Sequence, residues 1–319
     1  MRVLVTGGAG FIGSTLVDQL VKRGDQVLII DNFSSGSEKN LEEAKNIANE
    51  DLVIENCDIR NPETTKLIAD YQPSIIFHLA AQVDVRASVE DPLTDAVTNL
   101  LGLIRVLEGG RTAKTRKIIF ASSGGTIYGE PEAKQLPLKE ETQWNPSSPY
   151  GISKLAGGLY IKTYSSLHGL KGTTLALANV YGPRQDPHGE AGVVAIFAGK
   201  LLNREPCTIY GSGTQTRDFV YVEDVASAFL ASIENGDGKL FNIGTGTETS
   251  ILHLYKEMAL AVGIDSEAEN AAERPGEIER SSLNPSLAEK ILGWKPQTSL
   301  REGVHSTLKW FESEREDNS

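Results

Sequence analysis

Tyr150 and Lys154 lie four residues apart in "PYGISKLAGGLYIKTYSSLH", Pro149 to His168, whose spacing predicts a helix. Residues i and i+4 share a helix face, so the pair sets a phenol beside an ammonium. A free tyrosine has a pKa near ~10 and is a poor base at neutral pH. An ammonium roughly 5 Å away, at an effective dielectric of ~20, favours the phenolate by ~3 kcal/mol, or about two pKa units. Tyr150 would then take a proton from a hydroxyl near pH 7. Ser122 and Ser123 end the apolar run "KIIFASS", and Thr126 follows closely. Ser123 or Thr126 would hydrogen-bond a substrate hydroxyl and relay its proton. A Tyr-x-x-x-Lys pair arises by chance ~0.5 times in a chain of this composition, so its meaning rests on where the chain places it.

The elements that would position these groups begin with "RVLVTGGAGFIGSTLVDQLVKRGDQVLIIDN". Val3, Leu4 and Val5 make a short buried strand. Leu16, Val17, Leu20 and Val21 repeat at helical spacing, and Gln26 to Ile30 is a second strand. Gly7, Gly10 and Gly13 sit between strand and helix, where they permit a tight turn. Backbone N–H groups and the helix N-terminus can then approach a pyrophosphate. Asp31 ends the second strand, eighteen residues after Gly13. A carboxylate there accepts from a ribose 2′-OH and repels a 2′-phosphate, so NAD is favoured over NADP. The positive nicotinamide would favour the Tyr150 phenolate further.

Further strands are expected at Asp51–Glu55, Ser74–Ala81, Lys117–Ser123 and Thr173–Ala178, with helices at Pro92–Glu108 and Pro149–His168 between them. This is an α/β pattern, a doubly wound parallel sheet, with a Rossmann-like NAD domain over 1–178. Leu79, Ala80 and Ala81 are small or apolar and let a flat cofactor lie on a strand end. His78 reads as a packed strand residue. Asp58 caps the next segment or approaches the adenine, and Asn61-Pro62 opens a helix. Gly157 and Gly158 inside a helix suggest close backbone packing. After Asn179 the alternation loosens, and a smaller substrate-binding domain is expected over 179–319. Within it, 222–246 supplies a helix (Val225–Ile233) and a strand (Leu240–Gly244) that rejoin the main sheet. Helices follow at Ser250–Val262, Pro285–Leu292 and Leu300–Phe311, then a frayed tail, "ESEREDNS".

The formal net charge of -12 over 319 residues argues against a nucleic-acid partner. The two cysteines, Cys57 and Cys207, read as free thiols in a reducing compartment. The five histidines form no close pair, so no metal is expected. The first strand starts at residue 2 and no apolar run reaches ~20 residues, so a cytoplasmic protein without membrane contact is expected.

The Gly-x-x-Gly-x-x-Gly spacing resembles the extended short-chain dehydrogenase/reductase superfamily, whose Ser/Thr, Tyr and Lys triad the residues above reproduce. Over almost its full length the chain is similar to the UDP-glucose 4-epimerase (UDP-galactose 4-epimerase) family. The similarity is carried by "TGGAGFIGS", "HLAAQVDVRASVEDP", "SSGGTIYGE", "SPYGISKLAG", "ANVYGPRQ", "IYGSGTQTRDFVYVEDV" and "ERPGEIERSSLNPSLAEKILGW". The resemblance implies a C-terminal nucleotide-sugar domain, a UDP-sugar substrate, and inversion at C4 of a UDP-hexose through a 4-keto intermediate, with NAD regenerated each turnover. The implied catalytic set is Ser123, Tyr150, Lys154 and Thr126. The implied cofactor site takes in Gly7, Gly10, Phe11, Ile12, Gly13, Asp31, Asn32, Ser35, Gly36, Asp58, Ile59, Leu79, Ala80, Ala81, Ser122, Tyr150 and Lys154. Asn99 joins it unless it is a solvated surface residue. The implied substrate site takes in Val83, Ser123, Tyr150, Asn179 (diphosphate), Gly192, Val193, Tyr210 (uracil), Arg217 and Arg274 (phosphate and ribose), Glu277 and Ser281. In the family, the position of Ser281 faces the sugar 2-substituent. A small residue there leaves room for an N-acetyl group, unless Ser281 is only a loop residue. Related enzymes pair the two long helices across a two-fold axis, so a homodimer is expected.

Three other readings compete. Resembling nucleotide-sugar dehydratases carry an Asp-Glu pair after the strand-end hydroxyl, where this chain has Gly124 and Gly125. An epimerase or decarboxylase of UDP-glucuronate would use Arg86 or Arg184 on the carboxylate. A non-catalytic NAD-binding scaffold would be expected to lack the Tyr/Lys pair.

Overall fold

A computed structural model describes residues 1–187, 192–265, 267–273 and 278–317. The chain opens with β1 (Arg2–Thr6), α1 (Phe11–Lys22), β2 (Gln26–Asp31), α2 (Glu42–Ala48), β3 (Leu52–Asn56), α3 (Glu63–Tyr71) and β4 (Ile75–His78). Next come α4 (Val85–Glu90), α5 (Pro92–Ala96), a π-helical turn (Val97–Leu101) and α6 (Gly102–Thr112). Then follow β5 (Lys117–Ser123), α7 (Gly124–Ile127), α8 (Pro149–His168) and β6 (Lys171–Leu177). The expected helix at Pro92–Glu108 runs on to Thr112, with one π turn inside it.

The remaining elements are β7 (Asn179–Tyr181), α9 (Val193–Leu202), β8 (Thr208–Tyr210), β9 (Thr216–Arg217), β10 (Phe219–Tyr221), α10 (Val222–Ala231) and β11 (Lys239–Ile243). After these come β12 (Thr249–Ser250), α11 (Ile251–Ala261), β13 (Glu269–Ala271), α12 (Ser286–Leu292) and α13 (Leu300–Asp317). Seven strands form one sheet in the order β11-β6-β5-β4-β1-β2-β3, and every pair in it is parallel.

The central strands are apolar on both faces because helices cover both. Val3, Val5, Ile29 and Phe77 pack toward α1 and α10, while Leu4, Ile76, Ile118 and Phe120 belong to the core that includes Leu103, Val106 and Ile161. The chain winds outward from β1 in both directions, so β1 and β4 flank the point where strand order reverses. A crevice opens there at the carboxyl ends of the strands. Thr6, Asp31, His78 and Ser123 all stand on that edge.

A third core, including Tyr181, Phe197, Leu201, Tyr255, Met258 and Phe311, joins α9, α11 and α13. As the sequence suggests, α10 and β11 return to the main sheet, with Leu240 opposite Thr174. The C-terminal tail differs from expectation, since α13 continues to Asp317. Glu314 pairs with Lys39 at 2.7 Å, and Arg315 Nη1 donates to the Leu202 carbonyl at 2.7 Å. These contacts give the charged segment a surface to lie on.

Candidate active site

The first glycine turn leaves no room for side chains. A Cβ on Gly7, where φ is +72°, would stand 2.7 Å from the Ala80 nitrogen; one on Gly13 would stand 2.0 Å from the Gly7 carbonyl oxygen. The β1–α1 turn therefore packs against the start of α1 and against the Leu79–Ala81 segment. This is the close approach a pyrophosphate cradle requires. Gly36 closes on Ala9 in the same way, at 2.9 Å. Asp31 is buried and accepts from the Ala9 amide at 2.9 Å and the Phe33 amide at 2.8 Å. Each carboxylate oxygen keeps a second lone pair for a ribose hydroxyl. These residues fit NAD, and the carboxylate disfavours a 2′-phosphate.

Phe11 and Ile12 open α1 beside this turn, and Ser35 is exposed just before Gly36. Asn32 Nδ2 donates to Asp58 at 2.8 Å, and Arg60 grips the same carboxylate through Nε and Nη2. Arg60 is the main reason Asp58 falls to a pKa of about 2. Asp58 therefore closes its own turn beside Asn32, while Asn61 Oδ1 accepts from the Glu63 amide at the start of α3. Ile59 is buried, with its side chain packed over Gly102.

Asn99 is no surface residue. Its side chain accepts from the Gln82 amide at 2.8 Å and donates to the Gln82 carbonyl at 2.9 Å and to Asp95 at 2.8 Å. Both amide protons are committed, so Asn99 shapes the loop after β4. Val83 in that loop is exposed.

The candidate catalytic side chains come from α8 and β5. Ser148 caps α8, accepting from the Gly151 amide at 3.1 Å, and Pro149 sits at the first helical position. A Cβ on Gly157 would meet the Phe120 ring at 2.7 Å, so this glycine brings α8 onto β5. Gly158 does not share that role: its Cβ would make an ordinary 3.5 Å contact with Thr174. The Ser123 side chain lies near enough to Tyr150 to favour its phenolate. The Ser122 hydroxyl donates to the Lys154 carbonyl at 3.2 Å, and the Thr126 hydroxyl donates to the Ser123 carbonyl at 3.3 Å. Of the three hydroxyls, Ser123 is the one turned to the phenol.

Lys154 Nζ donates to the Ala121 carbonyl at 3.0 Å and lies 5.7 Å from the Tyr150 ring centroid and 5.2 Å from that of Phe120. Here the structure corrects the electrostatic expectation. Burial drives Tyr150 above the usual phenol pKa, opposed by the Ser123 side chain. Burial also lowers Lys154, to about 8, against the pull of Asp95. The expected attraction leaves out the cost of burial; both groups are buried, and desolvation outweighs that attraction. Lys154 is still mostly charged at pH 7. His78 is buried, shares a 2.7 Å hydrogen bond with Thr6 Oγ1, and is pushed down to about 3, chiefly by burial. It is a packed neutral residue, as its strand position suggested.

Asn179 is exposed at the start of β7, with its amide tied to the Asp218 carbonyl at 2.9 Å. Gly192 and Val193 form the N-terminus of α9, Tyr210 ends β8, and Arg217 on β9 is half-buried with Nη1 on the Thr216 carbonyl at 2.8 Å. Ser281 is buried. Arg274 and Glu277 lie outside the described residues.

The sequence reading missed several residues. Asp218 is buried and accepts from the amides of Thr245, Gly246 and Leu283, so it fixes the segment that carries Ser281. Gln82 Oε1 and Gln185 Oε1 are buried without a hydrogen-bond partner among the described residues, the first in the loop after β4 and the second against Gly192. Buried orphan acceptors at two edges of a crevice are what a polar ligand satisfies. Nothing in the local sequence marked them. Arg184, by contrast, is taken: it pairs with Asp18 on α1 at 2.6 Å and reaches Glu43 at 3.3 Å.

A family model described as GDP-mannose 4,6 dehydratase matches residues 4–307. The UDP-glucose 4-epimerase of Mycolicibacterium smegmatis is 47% identical over 312 residues, 98% of each chain. The crystal structure of UDP-glucose 4-epimerase with UDP-glucose from Thermotoga maritima superposes with a TM-score of 0.94. It is 42% identical, over 99% of this chain and 100% of that one. The Thermus thermophilus UDP-glucose 4-epimerase complex with NAD gives 0.89 at 40% identity, over 98% and 99% of the two chains.

Proposed function

The chain belongs to the UDP-glucose 4-epimerase family of the extended short-chain dehydrogenase/reductase superfamily, and on that premise we propose that it is an NAD-dependent epimerase that inverts C4 of a UDP-hexose through a 4-keto sugar. Bound in the glycine cradle, NAD supplies a reversible two-electron acceptor for C4. Tyr150 takes the proton of the sugar 4-OH, with Ser123 holding that hydroxyl and passing the proton. Lys154 keeps positive charge beside the phenol as it ionises. Since burial works against the phenolate, the base becomes competent only when the positive nicotinamide is also beside it. The keto sugar swings about its diphosphate, held by Asn179, Arg217 and Arg274, with Tyr210 against the uracil. Tyr150 then returns the proton with the opposite face presented.

The observation that carries an epimerase over a dehydratase is the pair after Ser123. A Cβ on Gly124 would stand 2.3 Å from Leu283 Cδ1, and Gly125 adds no side chain to the open space beside it. The acid and base that elimination needs have no counterpart there. The UDP-glucuronate reading loses Arg184 to Asp18. The test is incubation with UDP-galactose without added oxidant. UDP-glucose should form; conversion of UDP-glucuronate alone would overturn the reading.

The same reading extends to UDP-N-acetylhexosamines through Ser281, and to a division into an NAD domain (1–178, with 222–246) and a nucleotide-sugar domain. Val89 on α4, Leu93 on α5, Leu101 in the π turn, and Ile152, Tyr160 and Leu167 on α8 are exposed. Such a patch supports a homodimer built on these helices. No helix among the described residues is long and apolar enough to cross a membrane. Two free thiols suit a cytoplasmic setting.

A further inference from the structure

A polar cluster to which the reaction as described gives no part is built on Asp95. Its carboxylate is fully buried. Oδ2 accepts from Ser153 Oγ at 2.6 Å, and Oδ1 accepts from Asn99 Nδ2 at 2.8 Å. Both donors are neutral. A buried carboxylate held by neutral donors is costly, and such a group is retained where its field acts on something. Ser153 is the residue before Lys154. Asn99, aimed inward from the π turn, holds both backbone groups of Gln82. Asp95 thus connects the catalytic helix to the loop that follows β4. Tyr150 is tied into the same region, its amide donating to Ser88 Oγ at 3.2 Å.

We propose that Asp95 is a positioning residue for the epimerisation: its buried negative charge, brought to α8 through Ser153, keeps the Lys154 ammonium charged beside Tyr150. This rests on the reading of Tyr150 as the base. The titratable groups around Lys154 are Tyr150 on its own helix, Asp95 on α5 and His78 on β4. Lys162 on α8 and Lys239 on β11 line the cavity of about 150 Å³ behind Lys154. Of these Asp95 is the one carboxylate. It supports the lysine's charge and opposes the tyrosine's, and both effects have the same sign on a pH axis. Without that charge Lys154 loses its proton at lower pH, and Tyr150 ionises at lower pH. Both limbs of the activity profile should move down together.

Asp95→Asn removes the charge and keeps the volume. The amide oxygen can accept from Asn99, and the amide nitrogen can donate to Ser153, whose hydroxyl turns round. Expected is a folded variant whose two pH limbs for UDP-galactose turnover both shift down by about one unit. Ser153→Ala deletes the link to α8 and a donor that stabilises the carboxylate, so its limbs should also move down, by less. NAD affinity titrated against pH gives a second readout: the alkaline loss of binding, as Lys154 deprotonates, should also come about one unit earlier in Asp95→Asn. Thermal midpoints check folding. If Asp95→Asn does not fold, the direction of the Ser153→Ala shift decides. Limbs and NAD titration unmoved in a folded Asp95→Asn, or an upward shift in Ser153→Ala, overturn the inference. A wild type that turns over no UDP-hexose refutes the proposed function instead, and the NAD titration still decides the role of Asp95.

Discussion

Between pH 7 and pH 5 the protein is expected to lose stability through His78, buried on β4 with its ring stacked 5.8 Å from Phe120. The folded imidazole has a pKa of about 3, against 6.5 for the free side chain. The unfolded chain therefore binds a proton below pH 6.5 that the folded chain refuses, and stability falls as pH falls. The contribution is complete above pH 6.5 and drains away toward pH 3. At pH 5 one group with these values costs RT ln of about 30, or about 2 kcal/mol. Other groups titrate over the same range, so the comparison must be with a variant. His78→Phe keeps a flat ring against Phe120 and leaves the Thr6 hydroxyl with only the Ala80 amide, a loss of about 1 kcal/mol that does not depend on pH. Urea unfolding at pH 7, 6 and 5 should find the variant the less stable protein at pH 7 and the more stable one at pH 5. Parallel stability curves would refute the burial argument.

Tyr150→Phe should remove nearly all turnover while NAD and UDP-sugar still bind, and activity within tenfold of wild type would end its assignment as the base. Ser281→Tyr should suppress conversion of UDP-N-acetylglucosamine and largely spare UDP-glucose, which product analysis with the two substrates reads directly. Gly13→Ala places a methyl group against the Gly7 carbonyl and should open the first turn; NAD affinity should fall by about two orders of magnitude, with a stability loss of about 2 kcal/mol in thermal unfolding. Light scattering at micromolar concentration should report a dimer, and replacing Ile152 and Leu93 together by Lys should give a monomer.

The parts of the fold set by uninterrupted apolar runs were legible in the sequence. Val3–Val5, the second strand and Lys117–Ser123 are buried on both faces, and no turn residue interrupts them. The glycine triplet was legible for a different reason: only glycine survives a 2.0 Å approach. What stayed hidden depends on groups far apart in the chain. Asp95 carries no local signal of its role, because Ser153, its partner, is 58 residues away. The direction of each strand-end hydroxyl was equally hidden: Ser122 and Ser123 are neighbours, yet one serves the helix backbone and the other the phenol. The depressed lysine pKa follows from burial, which a spacing of four residues does not encode.

The late arrival of β11 bears on how the chain comes off the ribosome. β6 ends at Leu177, and its outer partner begins at Lys239, with all of β7 to α10 made in between. At ~5–20 residues per second, the flank of β6 stays bare for roughly 3–12 s of synthesis. An unpaired flank on a buried parallel strand is a template for wrong pairing. The nascent N-terminal half is therefore an aggregation-prone species until the C-terminal part is under way. A gene cut after residue 178 should direct synthesis of an insoluble product, whereas one that runs past Ile243 supplies the strand that covers β6.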